Sequence, residues 1–338
     1  LKFGIAITIM NLDFVSDAGN TYYAHLFHNE YTDTEWRAKW ETRDGLEDND
    51  PVINGSVFSY ANSRVDTEGK NRTEIRQIDS AQIGAKFEIN ERSGLEIEFF
   101  TSRAEQDDTQ SYNAIFRSGK VNQPITYDAT DSRKPTVTFP AAFYNAQSFN
   151  LKAWESDYSL NTDENTGATL DYRYAYSNNT EFQTGVKFSA REKINNFNFC
   201  AYEPINDVNL AEVKNLSLSP FLSTKAGPTP TFDQVKAFRD NLGAGSYALS
   251  DGTTCRNPGV FFEMSGDEEE ESIPADWSTE EDVTSVYAMA TSQFGDATWI
   301  YGIRYEDTKT TYRGKNYDGN GFAGNVSYNN DYSFLAPS

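Results

Sequence analysis

From Gly167 to Arg191 the chain alternates in steps of two. Ala168, Leu170, Tyr172, Tyr174 and Tyr176 fall on one side, and Thr169, Asp171, Arg173, Ala175 and Ser177 on the other. After Asn178-Asn179-Thr180 the alternation resumes. Phe182, Thr184, Val186, Phe188 and Ala190 oppose Glu181, Gln183, Gly185, Lys187, Ser189 and Arg191. Side chains alternate faces along a strand, so this reads as two strands joined by a tight turn. One face is apolar and aromatic, and the other carries both charge signs. Two structures produce such a hairpin: a soluble antiparallel sheet with its polar face in water, and a transmembrane barrel with its apolar face in lipid. The hairpin alone does not separate them.

The rest of the chain repeats the pattern. Strands are expected over 1–15 (Phe3, Ile5, Ile7 and Ile9 on one side), 21–40, 76–89, 95–103, 283–294, 298–308 and 329–338. Weaker strand signals cover 111–128 and 136–160. This makes about eleven strands. Turn residues mark Ser16–Asn20, Asn90–Gly94, Asn178–Thr180 and Gly295–Asp296. Polar stretches at 41–72, 104–110, 194–281 and 312–328 read as loops, with a shorter break near 161–166. Within the longest, Thr231–Leu242 places Phe232, Val235, Phe238 and Leu242 on one side of a short helix. Short turns thus alternate with longer loops, which is the asymmetry of outer-membrane barrels.

Composition sharpens the choice. Aromatic residues make up 14%, with 23 Phe and 20 Tyr, while hydrophobic residues are only 38%. A soluble core of this size draws more on Leu, Ile and Val. No run of about 18 apolar residues is present, so no transmembrane helix is expected, and the barrel stays open. The net charge of −22 excludes a nucleic-acid partner, which needs a basic footprint. Cys200 and Cys255 both lie in the long loop. An oxidising compartment would join them, and otherwise they are two free thiols. His25 and His28 are three apart on an expected strand and point to opposite faces, which argues against chelation. No nucleophile motif or phosphate-binding loop is present, so the expectation is not an enzyme. The chain starts at Leu1 and stops just inside a strand, so it reads as a piece of a longer protein.

Four segments carry a family resemblance: YTDTEWR (31–37), EFQTGVKFSAREK (181–193), EDVTSVYAMATSQFGDATWIYGIRYEDT (281–308) and NDYSFLAPS (330–338). They resemble TonB-dependent outer-membrane receptors of the branch common in carbohydrate-scavenging Gram-negative bacteria. The last segment departs from the family's LPSLN phrase, with Leu335 and Ala336 preceding Pro337-Ser338. The resemblance implies an all-β fold, part of a 22-stranded antiparallel transmembrane β-barrel. Residues 1–338 would be a partial barrel domain, 194–281 a long extracellular loop, and the plug would lie outside this chain.

The implied function is import of a scarce nutrient at the bacterial outer membrane, best an oligosaccharide, alternatively a ferric siderophore. No cofactor is implied. The implied partners are the TonB-ExbB-ExbD energy-coupling complex acting through the plug, outer-membrane lipid, the small-molecule or oligosaccharide ligand, and a surface lipoprotein or other outer-membrane proteins. The competing class is a soluble or surface β-rich binding or adhesion protein. In the long loop, Trp277, Tyr202, Tyr247, Phe261 and Phe262 suit stacking on ligand rings or packing of the loop on itself. Arg256 and Lys225 suit an anion. The run Asp267, Glu268, Glu269, Glu270, Glu271 suits a solvated loop or, less well, a calcium ion. Asp171, Arg173, Glu181, Lys187 and Arg191 would line the lumen.

Overall fold

The computed structural model describes residues 2–16, 20–43, 52–212 and 228–337. In chain order the strands are β1 (Lys2–Val15), β2 (Thr21–Arg43), β3 (Val52–Asn54), β4 (Val57–Tyr60), β5 (Arg64–Asn90), β6 (Ser93–Ser118), β7 (Ile125–Asp128), β8 (Thr136–Thr138), β9 (Phe149–Ser177) and β10 (Thr180–Pro204). Helix α1 (Phe232–Phe238) follows, then β11 (Ser246–Ala248), β12 (Thr254–Arg256), β13 (Phe262–Met264) and helix α2 (Glu268–Ser272). The chain ends with β14 (Trp277–Phe294), β15 (Ala297–Tyr317) and β16 (Phe322–Pro337).

Nine long strands form one antiparallel meander in the order β1-β2-β5-β6-β9-β10-β14-β15-β16, and β13 adds to β10 near its end. Two small sheets stand apart, β3-β4-β7-β8 and the β11-β12 hairpin. In a meander every second connection lies at the same end. The four turns after β1, β5, β9 and β14 are therefore together, and they are the short ones read from the sequence. The opposite end takes the connections 44–63, 119–148 and 205–276, together with the short 318–321.

The strands of the meander are longer than the sequence pattern predicts, because neighbouring expected strands merge. The expected loop at 104–110 is a continuous part of β6, so 95–103 and 111–118 are one strand. Asp108 finds a partner across the sheet in Arg72 at 2.8 Å, while Glu105 is held by Arg103 of its own strand at 2.8 Å, and Arg103 also crosses to Glu164 at 3.0 Å. A bulge between Asp108 and Ser111 absorbs the irregularity. No break occurs near 161–166, because β9 runs unbroken for 29 residues. The expected loop at 41–72 is invaded from both sides, by β2 up to Arg43 and by β5 from Arg64. The 194–281 loop is shortened to 205–276 by β10 and β14. The 312–328 loop contracts to a four-residue turn, where Gly319 and Gly321 take positive φ.

Directly paired residues share a face, so the ladder registers sort the whole sheet. The first face carries Leu12, Leu26, Ile83, Phe99, Leu170, Val186, Val286, Ile303 and Leu335 at matching heights near the short turns. The second face carries Asp171, Arg173, Lys187 and Arg191. On β1, the positions of Phe3, Ile5, Ile7 and Ile9 share one side as expected, and it is the second face, while Met10, Leu12 and Phe14 lie on the first.

The first face has three zones. Nearest the short turns is a bare apolar band without a charged side chain; Ile83 is 59%, Phe188 55% and Trp299 61% exposed. Next comes a polar zone containing His28, Asp79, Arg103, Glu164, Glu192 and Asp307. His28 Nδ1 meets Asp79 there at 2.5 Å, while His25 sits on the other face near Asp13. At the far end the first face is apolar again but covered.

That cover is a cap built from 119–148 and the described parts of 205–276. Its buried core joins Phe116, Phe149, Trp154, Tyr202, Val235 and Phe262. The expected amphipathic helix is the central piece. Val235, Phe238 and Leu242 are buried as read, with α1 continuing into a short 3₁₀ turn at Arg239–Asn241. Trp154 stacks on Tyr112 with centroids 5.6 Å apart and donates its indole N–H to the Val235 carbonyl at 2.7 Å. A buried indole needs such a partner.

Candidate functional site

The second face is the candidate site, because polar and charged side chains converge there along the long strands. Near the short turns, the five residues expected together do share it: Asp171, Arg173, Glu181, Lys187 and Arg191. Glycines let large neighbours lie flat on this wall. A Cβ on Gly185 would collide with Asp171 and the Tyr287 ring, and one on Gly84 with the Tyr23 ring. Tyr287 then donates its hydroxyl to Asp171 Oδ1 at 2.7 Å. Tyr23 donates to Glu98 at 2.8 Å and Glu96 at 3.1 Å. Lys86 pairs with Glu96 at 3.0 Å and Arg173 with Glu88. A hollow of about 530 Å³ opens among Lys86, Glu88, Glu96, Asp171, Arg173 and Tyr287.

The other members are held equally locally. Lys187 sits 5.5 Å from the Phe100 ring centroid. Arg191 grips Asp163 with Nε at 2.8 Å and a second, parallel bond. Glu181 accepts from Gln183 Nε2 at 2.7 Å.

Farther from the turns the same face continues as a polar network. Lys70 pairs with Asp157 at 2.9 Å, and Ser111 donates to the same carboxylate at 3.1 Å. Arg117 clamps the buried Asp66 through two bonds of 2.8 Å. Asn113 donates to Glu155 at 2.9 Å. Burial pushes the Glu155 carboxyl above the usual glutamate range, and Asp157 and Glu68 add to this against the Asn113 hydrogen bond.

Most of the loop residues expected to meet a ligand are spent elsewhere. Tyr202 and Phe262 are each 1% exposed. The Tyr202 ring packs between Trp154 and Phe262, and its hydroxyl donates to the Arg256 carbonyl at 3.0 Å. They are core residues of the cap. Phe261 rests edge-on against Phe262, 4.6 Å between centroids. Tyr247 and Arg256 are exposed on the β11-β12 hairpin, where Arg256 Nε donates to the Gly243 carbonyl at 3.3 Å. Lys225 lies outside the described residues. Only Trp277 belongs to the second face; it is exposed, with Lys193 Nζ 5.9 Å from its ring centroid.

Cys200 and Cys255 are joined as a disulfide, S–S 2.09 Å, which ties the cap hairpin to β10. The acidic run forms α2 in place of a calcium loop. Glu268 is buried and accepts from the Ser265 and Gly266 amides at 3.0 and 3.1 Å. Glu269 accepts from the Ser250 amide at 2.7 Å, while Asp267, Glu270 and Glu271 are exposed. Among the described residues no group of three or more His, Cys, Asp or Glu gathers to hold a metal.

Sequence reasoning missed Tyr23, Tyr287, Glu96 and Glu98, which organise the wall. Their signal is a tyrosine facing a glycine across a ladder, and that is visible only once the register is known. No protein family, curated protein or solved structure matches the chain.

Proposed function

We propose that this sheet is a section of a transmembrane β-barrel wall in the outer membrane of a Gram-negative bacterium, and that the protein is a receptor-transporter of the TonB-dependent kind. The observation that carries the reading is the contrast within the first face. The chain covers its own far apolar zone with a cap and leaves the near zone bare across nine strands. A soluble sheet leaves no band of this extent open to water.

The dimensions agree with a bilayer. From Val286 to Phe294 the band spans nine residues. At about 3.3 Å per residue and a tilt of about 40°, that is a height of roughly 20 Å, close to the apolar band of roughly 25 Å on such barrels. Trp299, Tyr301, Tyr172 and Tyr174 provide amphipathic rings near its turn-side border. Among the described residues, strands β1 and β16 each pair on one side only. In lipid those edges need further strands, from this protein or another chain.

In this reading the second face lines the lumen, and Asp171, Arg173, Glu181, Lys187 and Arg191 are wall residues facing whatever the barrel contains. The cargo is a scarce nutrient, an oligosaccharide before a ferric siderophore, drawn in by the TonB-ExbB-ExbD complex acting through a plug. Trp277 is the side chain best placed to stack on a ring in transit. The test is membrane partition of the intact protein. It should float with vesicles after alkaline and high-salt washing, migrate faster unheated than boiled in denaturing gels, and lose both properties with Ala288→Arg in the band. A washed-off protein that migrates alike in both gels refutes the reading.

A further inference from the structure

The cap sits on the same face as the apolar band. The side chains that tie the strands to it come mainly from the first face; Asn195 of the second face donates to the Ala275 carbonyl where the cap runs into β14, and β16 touches the cap through the Phe322 N–H on Ser250. Trp154 and Tyr202, opposite one another, share parity with Leu170 and Val186 through an unbroken register. Asn198, of the same parity, donates to the Thr254 carbonyl at 2.9 Å. Thr67 donates to the Pro228 carbonyl at 2.9 Å, and it shares parity with Ile83. On β15, Lys315 shares parity with Ile303 and reaches Asp251 of the cap at 2.6 Å and Asp276 at 2.7 Å. The second face meanwhile keeps its polar network at the same height.

We infer that the disulfide-closed cap stands on the outside of the barrel wall, overhanging the leaflet, with its underside facing a glycolipid headgroup layer, and that it is not a lid over the pore. This rests on the membrane reading above. The partner follows from height. On β10 the band ends near Phe188, and on this face the first side chain hydrogen-bonded to the cap is Asn198, while Asn195 of the opposite face already donates to the Ala275 carbonyl at the cap's edge. Ten residues at about 3.3 Å and a tilt of about 40° leave a shelf of roughly 25 Å. A phospholipid headgroup region adds only about 5–8 Å per side beyond the hydrocarbon. A phospholipid leaflet therefore stops far below the cap. A headgroup several sugars tall fills the shelf, whose first-face side chains, including Thr162, Glu164, Glu192, Asn196 and Thr311, offer hydrogen-bonding groups.

Nitroxide labels on the intact protein, with its disulfide kept oxidised, test this. Asn196→Cys reads the shelf, Asn161→Cys the opposite face at the same height, and Val186→Cys the band. Each is compared in phosphatidylcholine vesicles and in vesicles containing a long-chain lipopolysaccharide, using a water-soluble nickel chelate as the relaxing agent. The label at 196 should be relaxed in phosphatidylcholine and at least fivefold less accessible with lipopolysaccharide, while the label at 161 does not change. Equal accessibility at 196 in both vesicles, or shielding at 161 instead, overturns the inference. Relaxation by the chelate at 186 in either vesicle refutes the membrane reading itself and is distinguishable from both.

Discussion

Tyr287 donates its hydroxyl to Asp171 at 2.7 Å across Gly185, the strand residue between them that lacks a Cβ. Three adjacent strands are thereby fixed at one height of the polar wall. Gly185→Val places a branched side chain where both groups lie. A forced overlap of this kind costs about 1–3 kcal/mol. The unfolding midpoint in urea should fall accordingly. Tyr287→Phe removes only the hydrogen bond to a charged acceptor, worth about 1.5–3 kcal/mol. An unchanged midpoint in both variants would show that the wall does not depend on this contact.

The cap should fail separately from the sheet. Cys200→Ser or mild reduction opens a link spanning 55 residues. Loss of a native crosslink costs about 2–5 kcal/mol, and it falls here on the cap alone. Limited proteolysis should then cut within 205–276 while the strand ladder stays protected. Simultaneous loss of both would contradict this division.

Trp154→Ala should be the most damaging single change in the cap. It removes a fully buried aromatic ring and leaves the Val235 carbonyl without its donor. Large aromatic deletions cost about 3–5 kcal/mol. Hydrogen exchange across α1 should accelerate before that of β9 does.

Two half-buried acids predict opposite pH dependences. Glu155 is raised above its ordinary 4.5, chiefly by burial. Its contribution to stability is greatest below 4.5 and is lost as pH rises through the higher folded value. Glu155→Gln should flatten the profile there and raise stability at neutral pH. For Asp251, burial pushes upward, but hydrogen bonds from Lys315 and Thr253 outweigh it and hold the carboxyl below 3.8. Its contribution is present above 3.8 and is lost as pH falls through the lower folded value. Lys315→Met should remove that acid-side dependence and loosen the turn at 318–321. Stability curves from pH 3 to 8 for the two variants check both signs.

Alternation made the 167–191 hairpin and β15 readable without coordinates, and the helical spacing of Val235, Phe238 and Leu242 did the same for α1. The merging of strands was hidden because acids over 104–110 have the composition of a loop. What holds them in a strand includes Arg72 on Asp108, a residue far away in sequence, and the bond of neighbouring Arg103 across to the distant Glu164. Tyr202 and Phe262 looked like ligand-stacking rings because an aromatic side chain in a long loop suits either role. Only the position of Trp154 decides between them. The side on which the cap lies was illegible for a related reason. It depends on parity carried along the whole length of each ladder, and one residue of slip reverses it.

The most direct measurement of the central claim is a nitroxide scan of positions 182–190 in phospholipid vesicles. The account predicts a period of two. Even positions, including Phe182, Val186 and Phe188, should be open to oxygen and closed to a soluble nickel chelate. Odd positions, including Gln183, Lys187 and Ser189, should show the reverse. Chelate access at every position, or oxygen access at the odd ones alone, would contradict a wall with its apolar face in lipid.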